Sequence, residues 1–113
     1  MIALRAAEAK QATELMALDL REVTSFTDVF VLCSASNSRQ ARAIADEVHK
    51  QLKDFGELPV SMEGYEQGEW ILVDYGDFLV HIFSGNARTY YNLERLWRHA
   101  KVMPVPAAPP VKR

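Results

Sequence analysis

Two apolar runs, Trp70-Ile71-Leu72-Val73 and Phe78-Leu79-Val80-His81-Ile82-Phe83, flank the short segment Asp74-Tyr75-Gly76-Asp77. Gly76 supplies the positive φ that a tight reversal needs, so the stretch predicts a β-hairpin. Both arms are apolar on successive residues and not strictly alternating, which predicts that both sheet faces are covered, one of them by helices. The hairpin is therefore expected inside the sheet. The residues that break the apolar pattern are Trp70 at the entrance, Asp74, Tyr75 and Asp77 at the turn, and Tyr90, Tyr91 and Asn92 further on. Aromatics and carboxylates gathered at one end of a sheet suggest a docking surface.

The remaining segments supply what such a hairpin needs around it. Residues 3–17 are rich in Ala, Leu, Glu and Lys, contain no Gly or Pro, and place Leu4, Ala7, Ala12, Leu15 and Met16 near a helical stripe, predicting a first helix. Leu18 to Val23 then alternates apolar and polar, as a strand at or near an edge does. Val29 to Cys33 is a continuous apolar run that belongs in the sheet centre. Ser34, Ser36 and Asn37 carry side chains that cap helix N-termini. A second helix is expected from about Ser38 to Phe55, with Ala41, Ile44, Ala45, Val48, Leu52 and Phe55 on one face and Gly56 as its stop. Pro59 to Met62 reads as a short strand, expected parallel to its neighbour after the helical crossover, and Glu63 to Gly68 as a flexible acidic loop. A last helix carries Tyr90, Leu93, Leu96 and Trp97 at spacings of three and four. Four Pro from residue 104 onward make 103–113 a Pro-rich disordered tail, leaving 1–102 as a single domain. The sum is an α/β domain with a mixed sheet of about five strands and helices packed on it.

At 113 residues the chain can bury one core without staples. No stretch approaches the ~20 apolar residues of a membrane span, and the first residues lack the apolar centre of a signal peptide, so a cytoplasmic protein is expected. The lone Cys33 lies in an apolar strand and reads as a buried structural thiol. Charge is distributed unevenly. Residues 1–100 hold 10 basic against 15 acidic side chains, and between Asp54 and Asp77 there are seven acidic residues and no basic one. Such a surface repels phosphate backbones and attracts a basic protein, which disfavours direct nucleic-acid binding.

Candidate chemistry is sparse. The capping serines after a buried strand match the layout by which nucleotidyltransferase-type domains hold a triphosphate, but those domains also need carboxylates two residues apart for Mg²⁺, and no Asp-x-Asp is present. Asp74 and Asp77 straddle a turn, where Asp is common for its own backbone hydrogen bonds. His49, His81 and His99 sit on different elements; His81 interrupts an apolar strand and reads first as a hydrogen-bonded core histidine, since no nucleophile accompanies it. A thiol and base pair of Cys33 and His81 is conceivable, but no spacing brings them together. No Gly-rich phosphate motif occurs, and no cofactor or metal is expected. Every Trp and Tyr lies after residue 64, among Glu63, Asp74, Asp77 and Glu94. Two adjacent tyrosines cannot both face inward on a helix, so one of Tyr90 and Tyr91 is left outside. Trp70, Tyr75 and Tyr91 are the expected aromatic members of a protein-binding hot spot.

Three blocks, SFTDVFVLCSASNSRQARAIADEV (Ser25 to Val48), EGYEQGEWILVDYGDFLVHIF (Glu63 to Phe83) and YYNLERLW (Tyr90 to Trp97), resemble the ribosomal silencing factor, or Iojap, family. The resemblance spans roughly Leu18 to Trp97. It implies a nucleotidyltransferase-like fold without the active site, which agrees with the missing carboxylate pair. Ala35 stands where many members have Gly, a further departure from a phosphate loop. It also implies a non-enzymatic regulator that binds a basic protein of the large ribosomal subunit at the subunit interface, blocks subunit joining and represses translation when nutrients are scarce. By matching position, Trp70, Asp74, Tyr75 and Asp77 on the hairpin and Tyr91, Asn92 and Glu94 on the last helix form the expected contact surface. Two competing readings are an atypical nucleotide-dependent transferase and a self-associating adaptor that buries the aromatic patch in a homodimer.

Overall fold

The computed structural model describes residues 2–22, 25, 27–85 and 101–103. Its elements are α1 (Ile2–Ala9), β1 (Thr13–Asp19), β2 (Val29–Ala35), α2 (Ser38–Lys53), β3 (Ser61–Glu63), β4 (Trp70–Asp74), β5 (Phe78–Ser84) and β6 (Lys101–Met103). They build one mixed sheet in the order β3-β4-β5-β2-β1-β6. The α/β class and the mixed sheet are as expected; β6, antiparallel to β1, is a sixth strand that the sequence did not predict, and its Met103 lies in the stretch read as tail. The segment expected to form the last helix and the remainder of the expected tail lie outside the described residues.

The hairpin forms as expected, and its turn is closed by its own hydrogen bonds. Asp74 Oδ1 accepts from the Gly76 N–H at 2.8 Å, the Tyr75 N–H donates to the Phe78 carbonyl at 3.0 Å, and Gly76 has φ +87°. From the turn, β5 runs parallel to β2 in an unbroken register from Val29↔Phe78 to Ala35↔Ser84, at the sheet centre. This parallel pair requires a crossover, and α2 with β3 and β4 provides it.

One face of the sheet, carrying Val31, Cys33, Ile71, Val73, Val80 and Ile82, is covered by α2 through Ala41, Ile44, Ala45, Val48 and Leu52. Fully buried Ala3, Ala6 and Ala7 belong to the same core and let α1 approach closely. The opposite face gathers Leu18, Leu20, Phe30, Leu32, Leu79 and Phe83, with Met16, Trp70 and Leu72 packed against them. Strand β5 is buried on both faces from Leu79 onward, as its unbroken apolar run predicts. Strand β4 instead alternates, with Ile71 and Val73 buried and Trp70, Leu72 and Asp74 half-buried.

Several expectations are corrected. The first helix stops at Ala9, and Leu15 and Met16, which fitted its stripe, belong to β1. Gln11 takes φ +64°, and the Gln40 side chain of α2 fastens this reversal by donating from Nε2 to the carbonyls of Lys10 and Gln11, both at 3.0 Å. Ladder pairing with β2 thus outweighs helix propensity. The expected strand at Leu18–Val23 is displaced accordingly: β1 ends at Asp19, whose carboxylate takes the Arg21 N–H at 3.0 Å and turns the chain. The second helix is capped by Asn37, which accepts from the Gln40 N–H at 2.8 Å, and ends two residues early in a Schellman-type turn at Gly56 (φ +83°). Phe55 falls beyond that last turn and is exposed, not on the apolar face. Strand β3 pairs antiparallel with β4, not parallel to its neighbour.

Candidate protein-docking face

Because side chains alternate across a strand, Ile71, Val73 and Tyr75 share the helix-covered face, and Trp70, Leu72 and Asp74 share the other. This parity decides which expected contact residues are available. Tyr75 is buried in the helix-side core and stacks on Phe78 with ring centroids 4.9 Å apart and planes 13° from parallel. Its hydroxyl is buried with no partner among the described residues, and burial, with the nearby Glu57 carboxylate second, pushes the phenol pKa up. The expected outward role of Tyr75 is therefore corrected. Period two already carried that signal, since Tyr75 falls in phase with Ile71 and Val73.

Trp70 takes the opposite position. Its indole is half-buried at the start of β4, paired with Phe83 in the register, with ring centroids 5.4 Å apart. Nε1–H donates to His81 Nδ1 at 3.1 Å. His81 is buried at 4% exposure and lies edge-on to Phe30 at 4.5 Å. Loss of hydration in this aromatic setting lowers its pKa from 6.5 to about 4. The ring is neutral at physiological pH, and because Nδ1 accepts, the proton resides on Nε2, which has no partner among the described residues. His81 is thus a core histidine that aims the tryptophan. Cys33 belongs to the helix-side core while His81 faces the other side, so the two cannot act as thiol and base.

Beside the indole, Glu63, Gly64, Trp70 and Leu72 line a shallow depression of about 240 Å³. Gly64 is required there: φ is +78°, and a Cβ would stand 2.1 Å from the Trp70 carbonyl oxygen. The acidic loop that follows is anchored, against the expectation of flexibility. Tyr65 donates to the Asp46 carboxylate at 2.9 Å, Arg42 to the Glu66 carbonyl at 3.1 Å, and the Ser84 hydroxyl to the Gly68 carbonyl at 2.6 Å. A Cβ on Gly68 would reach within 2.6 Å of the Ser38 Cβ, so this loop lies tightly on the start of α2.

Asp74, engaged in the turn, and exposed Asp77 sit at the far end of β4, ~14 Å from Trp70 at the usual rise per strand residue. The structure therefore brings Trp70 together with Glu63 and Leu72, and separates it from the turn carboxylates. Tyr91, Asn92 and Glu94 lie outside the described residues. Sequence reading missed Glu63 and Gly64 as neighbours of Trp70, His81 as its hydrogen-bond acceptor, and the exposed Phe55, Leu58 and Val60. At the serine cluster, the Ser34 hydroxyl donates to Glu14 Oε1 at 2.8 Å, and Gln40 Oε1 takes the Ser36 N–H. Among the described residues no three His, Cys, Asp or Glu side chains are grouped to hold a metal ion, and no helix is long and apolar enough to cross a membrane.

A sequence model of the family described as ribosomal silencing factor during starvation matches residues 1–113. The chain belongs to the ribosomal silencing factor family. It is 39% identical over 99 residues to the ribosomal silencing factor of Bacillus subtilis, covering 88% of this chain and 84% of that one. It is 30% identical over 105 residues to the chloroplastic Iojap protein of Zea mays, covering 90% of this chain and 44% of that longer protein. Among solved structures, a protein from Chromobacterium violaceum superposes with a TM-score of 0.84 at 34% identity, covering 98% of this chain and 91% of the other. A protein from Bacillus halodurans gives 0.82 at 36% identity, covering 92% and 94%. Residues outside the described set are included in the family match, so membership rests on the whole chain.

Proposed function

We propose that this protein is a non-enzymatic, cytoplasmic translation repressor that binds a basic protein of the large ribosomal subunit at the subunit interface and blocks joining of the subunits by occupancy. One observation carries the reading: the half-buried Trp70, aimed by His81, stands beside Glu63 in a stretch with seven acidic and no basic residues. A fixed aromatic ring beside carboxylates is the make-up of a contact that accepts Lys and Arg. Family membership supports a ribosomal target. A relative from Mus musculus, 28% identical over 91 residues and covering 78% of this chain and 40% of that protein, is named mitochondrial assembly of ribosomal large subunit protein 1, which favours the large subunit. Asp74 and Asp77, with Tyr91, Asn92 and Glu94 of the last segment, extend the proposed contact.

The test is binding to purified large subunits, followed by association with small subunits in a sucrose gradient. Trp70→Ala is expected to weaken binding by ~2 kcal/mol, the size of a hot-spot truncation, and to restore subunit joining in proportion. Undiminished binding by a folded Trp70→Ala protein refutes the site. Failure of the parent protein to block joining refutes the mechanism.

A further inference from the structure

The proposed docking face lacks an apolar component at its carboxylate end, because Tyr75 is turned into the core. The structure supplies one from a different segment. Phe55, Leu58 and Val60 are 70%, 64% and 74% exposed, and all three lie on the link from α2 to β3, residues 54–60. Single exposed apolar side chains are ordinary on a protein surface, but three large ones within six residues form a patch. The link is not loose: the Gly56 and Glu57 N–H groups close the helix end on the Lys53 and Leu52 carbonyls, and the Val60 N–H donates to the Asp74 carbonyl at 2.7 Å. That bond sets Val60, the last residue of the patch, beside Asp74 at the turn end of β4.

Charge says what the patch fits. Lys53 ends the helix, and from the next residue Asp54 and Glu57 interleave with the apolar side chains, followed by Glu63 and the rest of the acidic stretch. Strand β3 is outermost in the order of described strands. It lies between the patch and the Trp70 depression, about 10 Å long at the usual rise. A stable contact needs about 800 Å² per partner, a patch about 30 Å across. The four-residue depression at Trp70 falls well short of that, and the exposed apolar segment on the other side of the three-residue strand β3 adds contact surface next to it.

We infer that the docking footprint straddles the β3 edge, with Phe55, Leu58 and Val60 forming a second apolar anchor for the basic large-subunit protein, whose apolar side chains they meet between flanking Lys or Arg residues. This rests on the proposed function and deepens it. A second copy of the chain is the poorer occupant, because a two-fold contact through this patch sets Asp54 and Glu57 against the same residues of the copy.

The test uses the full chain and salt-washed large ribosomal subunits, with binding followed by cosedimentation, and circular dichroism and melting temperature as fold controls. Phe55→Ser/Leu58→Ser/Val60→Ser is expected to bind at least about tenfold more weakly than the parent while melting as the parent does. Leu58→Ser alone serves if the triple variant melts early. Glu57→Lys is expected to weaken binding most at low salt. If the triple variant binds like the parent while Trp70→Ala does not, the second anchor is overturned and the proposed function stands. If the parent itself fails to bind, both fall. If the parent dimerises in sedimentation velocity, and the triple variant alone is monomeric with subunit binding intact, the patch serves self-association and the inference is overturned.

Discussion

The burial of His81 makes a quantitative prediction about pH. Folding removes the imidazole from water and places it at 4% exposure among Phe30, Trp70 and Phe83, with its pKa lowered from 6.5 to about 4. Between those two values the unfolded chain binds a proton that the folded chain refuses. The His81 contribution to stability is therefore complete above pH 6.5 and is lost progressively as pH falls toward 4. The full span corresponds to ~3 kcal/mol, and by pH 5 about 2 kcal/mol of it has gone. Protonation of Nδ1 would in addition end its role as acceptor for Trp70 Nε1. The comparison is urea unfolding at pH 7.5 and pH 5.0 of the parent and of His81→Gln, which does not titrate and whose carbonyl keeps an acceptor for the indole. Other titrating groups cancel between the two proteins. The parent is expected to lose about 2 kcal/mol more than the variant over this interval. Equal losses would show that His81 is as accessible to protons in the fold as in the unfolded chain, and would refute the buried acceptor on which the orientation of Trp70 depends.

Two further predictions separate local strain from packing. Gly64→Ala and Gly76→Ala both place a Cβ at positive φ, but the first meets the Trp70 carbonyl at 2.1 Å and the second meets nothing within 4 Å. Gly76→Ala is expected to cost ~1–2 kcal/mol and Gly64→Ala clearly more, with a shift of Trp70 fluorescence that Gly76→Ala does not produce; equal melting temperatures would contradict the close approach. Asn37→Ala removes the cap on the Gln40 N–H and is expected to cost about 1 kcal/mol in chemical denaturation, whereas an unchanged midpoint would mean that solvent caps the helix as well.

Much of the architecture was legible in the residues because its signals act over a few positions. The Asp74 to Gly76 turn, the Asn37 cap and the Gly56 stop satisfy their own backbone groups locally, so the hairpin and α2 follow from the chain around them. The resemblance to the ribosomal silencing factor family was legible for the same reason, being carried by contiguous blocks. Residues 10–19 show the opposite case. Their composition favours helix, yet Gln40, thirty residues from Lys10, fastens the reversal at Gln11 that frees Thr13–Asp19 to pair with β2. The candidate site divides along the same line. That Trp70 and Tyr75 point to opposite faces is a property of strand parity and could be read from sequence. Which of those faces α2 covers depends on how a parallel crossover packs, and that choice buried Tyr75, left Trp70 beside Glu63, and set Phe55, Leu58 and Val60 outside the core. Local hydrogen bonding therefore determined the elements, and contacts between residues distant in the chain decided which side chains remain for a partner.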